Sequence, residues 1–173
     1  GCAARATDSS GGTIFYNRLT PGNTPNTTTA WFAVAIGQDA QADKAGVAVG
    51  AGSRAQELGI AFGPQARTTN IAAVALGPAA LARGNTALAI GRQSYASADY
   101  SQAIGNVSLA TGLGSLAVGH SATAEGKRSI AIGSADIDNA GNTGNQQGTN
   151  YQTSQQTKAT GQDAIALAAA ANG

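Results

Sequence analysis

The heptapeptide Asn85-Thr86-Ala87-Leu88-Ala89-Ile90-Gly91 contains the pattern that decides the fold. It ends in alanine, a large apolar residue and glycine, and this triplet recurs along the chain. The other copies are Ala35-Ile36-Gly37, Ala48-Val49-Gly50, Ala61-Phe62-Gly63, Ala75-Leu76-Gly77, Ala103-Ile104-Gly105, Ala117-Val118-Gly119 and Ala131-Ile132-Gly133. Successive glycines are thirteen positions apart in the first two intervals and fourteen apart in all later ones. Eight copies in phase indicate a repeated supersecondary unit.

Within each repeat, small and large residues alternate with a period of two. After Gly77, small residues stand three, five, ten and twelve places later, and large apolar residues stand at eleven and thirteen. A period of two is typical of a β-strand, and the recurring glycines supply the backbone freedom that sharp turns need. A helix is disfavoured because each glycine would cost it about 1 kcal/mol. The pattern predicts an all-β parallel roll, or solenoid, of about nine 14-residue coils.

The 14-residue spacing of the repeat, which we call the frame, also shows which parts of the chain depart from it. A ninth, degenerate copy, Ala166-Leu167-Ala168, follows Gly133 at two and a half times the repeat length. The excess is a polar tract at about residues 134–154, which we interpret as a loop inserted into one coil, with an ordered functional protrusion as the alternative. Residues 1–32 do not fit the frame and are expected to be an N-terminal capping or irregular segment, so the roll spans residues 33–173.

The composition indicates a thin core, so the chain is expected to bury further apolar surface by packing against another chain. Only 5% of the 173 residues are aromatic, and much of the 42% hydrophobic fraction is alanine. The larger apolar side chains recur in one row, which we call the large-residue row and expect to point outward, the alternative being that it points into the coil. An exposed apolar stripe of this length predicts self-association. The row consists of Ile36, Val49, Phe62, Leu76, Ile90, Ile104, Val118, Ile132 and Leu167.

The charge pattern excludes several classes of protein. Charged residues make up 11% of the chain and the net charge is +1, without a basic block, so nucleic-acid binding is not expected. No run of about 18 apolar residues is present, so no membrane contact by this chain is expected. One cysteine, Cys2, excludes an internal disulfide framework.

The phased units resemble the YadA-like head repeats of trimeric autotransporter adhesins. The resemblance is carried by residues 85–91 and by Gly126-Lys127-Arg128-Ser129-Ile130-Ala131-Ile132-Gly133, and it covers about residues 33–168. It implies a left-handed parallel β-roll, a homotrimer with the large-residue row at the shared axis, and display on a bacterial outer membrane. It also implies adhesion to host extracellular matrix or cell-surface receptors, and hence a part in virulence. The stalk and membrane anchor of such adhesins are not in this sequence, so we expect the chain to be a head fragment.

Residues that could carry chemistry are few. The single histidine, His120, follows a repeat glycine and is expected to lie in a solvated turn. One histidine and one cysteine do not provide a zinc site, and Asp136 with Asp138 lacks the bidentate glutamate of a calcium loop. We therefore predict no enzyme activity, no metal and no cofactor.

Two other solenoid classes are weaker alternatives. The left-handed β-helix of hexapeptide acyltransferases has a period that is a multiple of six, and here only His120 could serve as its catalytic histidine. An ice-binding solenoid would need aligned threonines, which are absent.

Binding is expected at the outward positions of the roll. Arginine and tyrosine are favoured at interface hot spots, although solvated decoration of a rod is the alternative. Arg92, Tyr95 and Tyr100 form the densest group in the sequence, and His120 and Arg128 are further candidates. Three identical faces in a trimer would raise avidity without a deep pocket.

Overall fold

The computed structural model describes residues 5–6, 15–16, 33–135 and 156–169. These residues form nineteen short strands without a helix. The strands are β1 Arg5–Ala6, β2 Phe15–Tyr16, β3 Val34–Ile36, β4 Gln41–Ala42, β5 Val47–Val49, β6 Arg54–Ala55, β7 Ile60–Phe62, β8 Arg67–Thr68, β9 Val74–Leu76, β10 Leu81–Ala82, β11 Leu88–Ile90, β12 Tyr95–Ala96, β13 Gln102–Ile104, β14 Leu109–Ala110, β15 Leu116–Val118, β16 Thr123–Ala124, β17 Ile130–Ser134, β18 Lys158–Ala159 and β19 Ile165–Ala169.

The strands stack into two parallel sheets that alternate along the chain. Sheet 1 has the order β1-β4-β6-β8-β10-β12-β14-β16-β18, and sheet 2 has the order β19-β17-β15-β13-β11-β9-β7-β5-β3-β2. Each coil contributes one strand to each sheet, and like residues pair, as in Ala89 with Ala75 and Ala103. The chain is thus the all-β parallel solenoid that the repeat predicts.

The core between the sheets consists mainly of alanine, with serine or threonine at some of the buried positions. In the repeat after Gly77, Ala80, Ala82, Ala87 and Ala89 are fully buried, and these are the four small positions of the frame. Large side chains do not fit between two sheets that approach so closely, so they point outward. The interpretation that the large-residue row points outward is confirmed, and the alternative is wrong.

Both turns of each coil rely on unusual backbone angles. The glycine that ends each triplet has a φ between 120° and 152°, as in Gly77 at 125°, and Thr86 in a return turn has a φ of 52°. A Cβ atom on Gly77 would lie 2.8 Å from the carbonyl carbon of Gly91 in the next coil. Glycine is therefore required here for two reasons. It adopts a backbone angle that residues with side chains rarely adopt, and it leaves room for the backbone of the next coil.

The shorter and longer coils differ in one turn only. Four residues always connect a strand of sheet 2 to the next strand of sheet 1, from residues 37–40 up to residues 119–122. The return turn has four residues in the two shorter coils, at 43–46 and 56–59, and five in the later coils. The side-chain register of both sheets is preserved because the difference is confined to the return turn.

The structure also places the two departures from the repeat. Ile132 pairs with Leu167 and Thr123 with Lys158, so the chain re-enters the frame after the insertion. Most of the predicted insertion lies outside the described part of the chain, within residues 136–155, as do Cys2 and most of residues 1–32, whereas Ser134 still belongs to β17. Within that N-terminal segment, β1 extends sheet 1 beside β4 and β2 extends sheet 2 beside β3.

Candidate self-association face and outer binding surface

The outer side of sheet 2 is a continuous apolar face two residues wide. The large-residue row forms one half, and a companion row stands two residues earlier in each strand. We call the two rows together the apolar face. The companion row is Val34, Val47, Ile60, Val74, Leu88, Gln102, Leu116, Ile130 and Ile165. Gln102 is its one polar member in the described residues.

Several members of this face are highly exposed in the single chain. Phe62 is 57% exposed and Ile36 is 49% exposed, and at the last coil Ile165 and Leu167 reach 67% and 70%. An apolar face that runs through nine successive strands exceeds the scattered apolar residues of an ordinary monomer surface. The repeat pattern places large apolar residues at both positions, but the predicted outward stripe covers the large-residue row alone. The period of two was the available signal, since residues two apart in a strand share a face.

Sheet 1 presents a different, mixed outer surface. Its outward positions carry three cations, three large or aromatic residues and two polar residues, one of which, Thr123, is buried, so the surface is neither apolar nor uniformly charged. From β4 onward the row is Gln41, Arg54, Arg67, Leu81, Tyr95, Leu109, Thr123 and Lys158. The two sheets of one thin solenoid therefore expose surfaces of different character.

The five residues proposed for binding lie on three sides of the coil. Arg92 and His120 lie in the turns from sheet 2 to sheet 1, and Tyr95 points outward from sheet 1. Tyr100 and Arg128 lie on the opposite edge, in the turns that return to sheet 2. The group of Arg92, Tyr95 and Tyr100 is close in sequence because one coil contains all three, yet each faces a different direction.

Arg92 and His120 make polar contacts in the turns from sheet 2 to sheet 1. Arg92 Nε donates a hydrogen bond to Asn106 Oδ1 of the next coil at 3.1 Å. His120 Nδ1 lies 2.8 Å from the Oγ atom of Ser121, whose side chain is 2% exposed. Ser121 is thus buried in the turn, where its hydroxyl contacts the imidazole ring of His120.

Ion pairs attach the last coil to the one before the insertion. Arg128 donates two hydrogen bonds to the Asp163 carboxylate, at 2.6 Å from Nε and 2.7 Å from Nη2. Lys158 Nζ lies 2.8 Å from Glu125 Oε1. The hydrogen bonds from Arg128, with another from Gln162, lower the pKa of the Asp163 carboxyl from its ordinary value.

Asp163 was not predicted from the sequence as a partner of Arg128. The repeat spacing could have indicated the pair, because Arg128 and Asp163 each stand two positions before an isoleucine. These isoleucines, Ile130 and Ile165, are partners in register across the insertion.

A shallow open groove accompanies Tyr95 on the sheet 1 side. It has a volume of about 170 Å³ and lies where sheet 1 meets the turns from sheet 2. Its apolar part comes from Tyr95, Leu109 and Val107, and its polar groups come from Gln93, Thr123 and Gln156. The described residues contain no group of three or more histidine, cysteine or acidic side chains that could hold a metal ion.

Comparison with known families identifies the repeat. The family described as "YadA head domain repeat (2 copies)" matches three consecutive segments, residues 56–80, 82–108 and 110–135. Comparisons with curated proteins and with solved structures give no match. Among the residues that the structure describes there is no helix of the length and apolar character needed to cross a membrane.

Proposed function

Because residues 56–135 form a YadA-like head domain, we propose that the chain acts as the trimeric head of a bacterial surface adhesin. The observation that carries the proposal is the apolar face of sheet 2 on a solenoid built of YadA head repeats. In this role the head is displayed outside the outer membrane and binds host extracellular matrix or cell-surface receptors.

The energetics of burial support the association of several chains. Alanine contacts contribute little, whereas complete burial of a large aliphatic side chain contributes roughly 1.5–3 kcal/mol. Ile104 and several of its neighbours in the large-residue row remain only half-buried in one chain. We place that row at a threefold axis, where each chain covers the apolar face of its neighbours. Sheet 1 and both edges of the solenoid then stay accessible.

Adhesion is supported by the geometry that this assembly leaves exposed. Arg92, Tyr95, Tyr100, His120 and Arg128 all lie away from sheet 2. Each would occur three times per trimer, so weak contacts would add through avidity. A deep pocket is not required for such a surface.

The assembly is tested by placing a charge in the apolar face. Ile104→Asp introduces three buried carboxylates per trimer, and we expect it to yield monomer or misfolded chain, measured by light scattering. The matched control is Leu109→Asp, which places the same charge on the outer side of sheet 1 and should leave a trimer. A stable wild-type monomer at micromolar concentration, or a trimer of the Ile104 variant, would contradict the proposal.

Adhesion itself is tested with purified wild-type trimer on immobilised matrix proteins and on host cells. Binding above the background of a denatured sample is expected. A folded trimer that binds neither matrix nor cells would overturn the adhesive role.

We propose no enzymatic activity for this head. The hexapeptide acyltransferase alternative is not favoured, because the coils here have thirteen or fourteen residues and two sheets. The His120–Ser121 contact does not provide an accessible nucleophile, since Ser121 is buried. Acyl transfer from a CoA donor that is lost in His120→Ala would overturn this proposal.

A further inference from the structure

We infer that the outer side of sheet 1 from Arg54 to the Tyr95 groove binds a linear acidic polysaccharide, one that carries sulfate or carboxylate groups. The inference rests on the proposed adhesive function and assigns a ligand class and a face to it. We call this region the arginine track, and it consists of Arg54, Arg67, Arg83 and Tyr95.

The first observation that supports the inference is a pair of neighbouring arginines without an acidic partner in the described part of the chain. Arg54 and Arg67 are direct partners on the neighbouring strands β6 and β8, and both are exposed. Like charges directly opposite each other in a sheet are destabilising. Within the described part of the chain, neither arginine has an ion-pair partner, whereas Arg128, Lys158 and Lys44 each have one. Two adjacent unpaired guanidinium groups are suited to an anionic ligand.

The third arginine extends the cationic surface by one coil. Arg83 follows β10 directly, is exposed, and donates a hydrogen bond from its Nη1 atom to the Tyr95 hydroxyl at 3.1 Å. Its exposed neighbours at the same coil position, Gln56 and Thr69, are uncharged. The three arginines therefore lie on three successive coils, with Arg83 two positions nearer the return turn than Arg54 and Arg67, so an extended anionic chain that crosses the coils obliquely would contact one after another.

The aromatic end of the track favours a saccharide. Tyr95 is flanked in register by Leu81 and Leu109, and it is one of the residues that line the open groove of about 170 Å³. Gln93 and Gln156 line the groove with amide groups, which can both donate and accept hydrogen bonds. An apolar ring beside amides fits a sugar, which has apolar faces and hydroxyl edges. Arginine adds planar two-point recognition of carboxylate or sulfate oxygens.

Nucleic acid is the competing polyanion, and the chain-wide charge disfavours it. The net charge is only +1, and Lys44, Arg128 and Lys158, which lie outside the track, are each paired with an acid. Long-range attraction of a duplex would need a broader basic surface. Recognition here depends on a short local track.

The inference is tested by calorimetry of the wild-type trimer with a heparin octasaccharide. Arg54→Gln with Arg67→Gln should weaken binding about tenfold or more, since charge-assisted hydrogen bonds are lost. The matched control is Lys44→Gln with Lys127→Gln, which removes the same charge from the return turns and should leave affinity unchanged. Tyr95→Ser should also weaken binding, whereas Tyr95→Phe should retain most of it.

Further measurements distinguish a failure of this inference from a failure of the proposed adhesive function. Neutral dextran should not bind, and a single-stranded DNA of equal charge should bind more weakly than the octasaccharide. An equal loss of octasaccharide affinity in the arginine and the lysine double variants would overturn the inference. DNA binding as tight as heparin binding would also overturn it. If the trimer adheres to cells and the Arg54/Arg67 variant adheres equally well, the adhesive role stands and the arginine track is wrong. If wild type does not adhere at all, the proposed function itself fails.

Discussion

Serine replaces alanine at several buried positions of the solenoid, and its hydroxyl must find a partner there. Ser101 donates a hydrogen bond from Oγ to the carbonyl of Ala98 at 2.6 Å. Ser115 occupies the same position one coil later and is fully buried, yet its Oγ atom lacks a hydrogen-bond partner. An unsatisfied buried polar group costs about 1–3 kcal/mol, whereas a satisfied one contributes about 1 kcal/mol.

These two serines make a matched pair for mutation. Ser101→Ala should lower the free energy of unfolding by about 1 kcal/mol because it removes a hydrogen bond. Ser115→Ala should leave it unchanged or raise it, because it removes only the unsatisfied hydroxyl. Thermal unfolding at one fixed protein concentration measures both. Equal destabilisation by the two variants would mean that Ser115 has a partner after all.

The repeat glycines differ in how strictly they are required. At Gly77 a Cβ atom would approach the backbone of Gly91 to 2.8 Å, and φ is 125°. Gly52 has a φ of 68°, and its Cβ would meet only the Gln65 side chain at 3.7 Å. Ala79 occupies the same turn position as Gly52 two coils later, with a φ of 54°. An alanine is therefore compatible with that position.

We expect Gly77→Ala to abolish folding or to lower stability by more than about 3 kcal/mol, since the backbones of two coils must separate. Gly52→Ala should change stability by less than about 1 kcal/mol, because the left-handed strain is partly offset by reduced freedom of the unfolded chain. Circular dichroism and denaturant titration provide the comparison. Similar behaviour of the two variants would show that contact between coils does not restrict Gly77.

At the scale of the strand, ion pairs beside the insertion link the last coil to the coil before it. Arg128 holds the Asp163 carboxylate, and the pKa of Asp163 is lowered as a result. A lowered pKa means that the pair stabilises the coil above about pH 3.9, the ordinary value for aspartate. That contribution is lost as the pH falls through the lower pKa of the folded state.

Hydrogen exchange in β18 and β19 should therefore accelerate when the pH is lowered below about 4, after correction for the intrinsic pH dependence of exchange. Asp163→Asn should exchange faster at neutral pH and lose this dependence on pH. Glu57→Gln, which alters the weaker Lys44 pair at 3.9 Å, should not affect these strands. A wild-type pH profile in the Asp163 variant would show that the pair does not hold the coil.

The sequence predicts the strands well because one period of two determines which side chain enters a core only wide enough for alanine. The frame predicted the register even across the insertion, where Ala131 pairs with Ala166. It did not predict which turn absorbs the missing residue of the shorter coils, because turn residues are exposed and carry no periodic burial. The candidate site was less predictable: Arg92, Tyr95 and Tyr100 are close in sequence, but a coil distributes them over three sides. The role of residues 1–32 as a cap stays a prediction.

At the scale of the whole molecule, the two sheets expose different surfaces. Sheet 2 exposes the apolar face, on which we propose self-association, and sheet 1 exposes arginine, tyrosine and amides, where we propose ligand binding. Since each coil adds one residue to each row, the length of the solenoid sets the extent of both surfaces. Changes confined to a loop should affect neither sheet.

The insertion provides the test of that separation. Deletion of residues 134–154 joins Gly133 to Gln155, so Gly133-Gln155-Gln156-Thr157 becomes a four-residue turn like Gly119-His120-Ser121-Ala122. Thr157 and Ala159 would keep their buried positions, and the ion pairs of Arg128 and Lys158 would remain available. Loop closure depends only logarithmically on length, so the loop itself contributes little to the free energy of folding.

We expect this deletion to fold and to trimerise with wild-type stability, measured by light scattering and thermal unfolding. The matched control removes one residue more, residues 134–155, and leaves the turn one residue short. Because side chains alternate, that shift would turn Ala159 outward and Lys158 into the alanine core, and it should destabilise the last coil strongly. If the shorter deletion instead yields monomer, the inserted loop joins neighbouring chains and is not a surface loop.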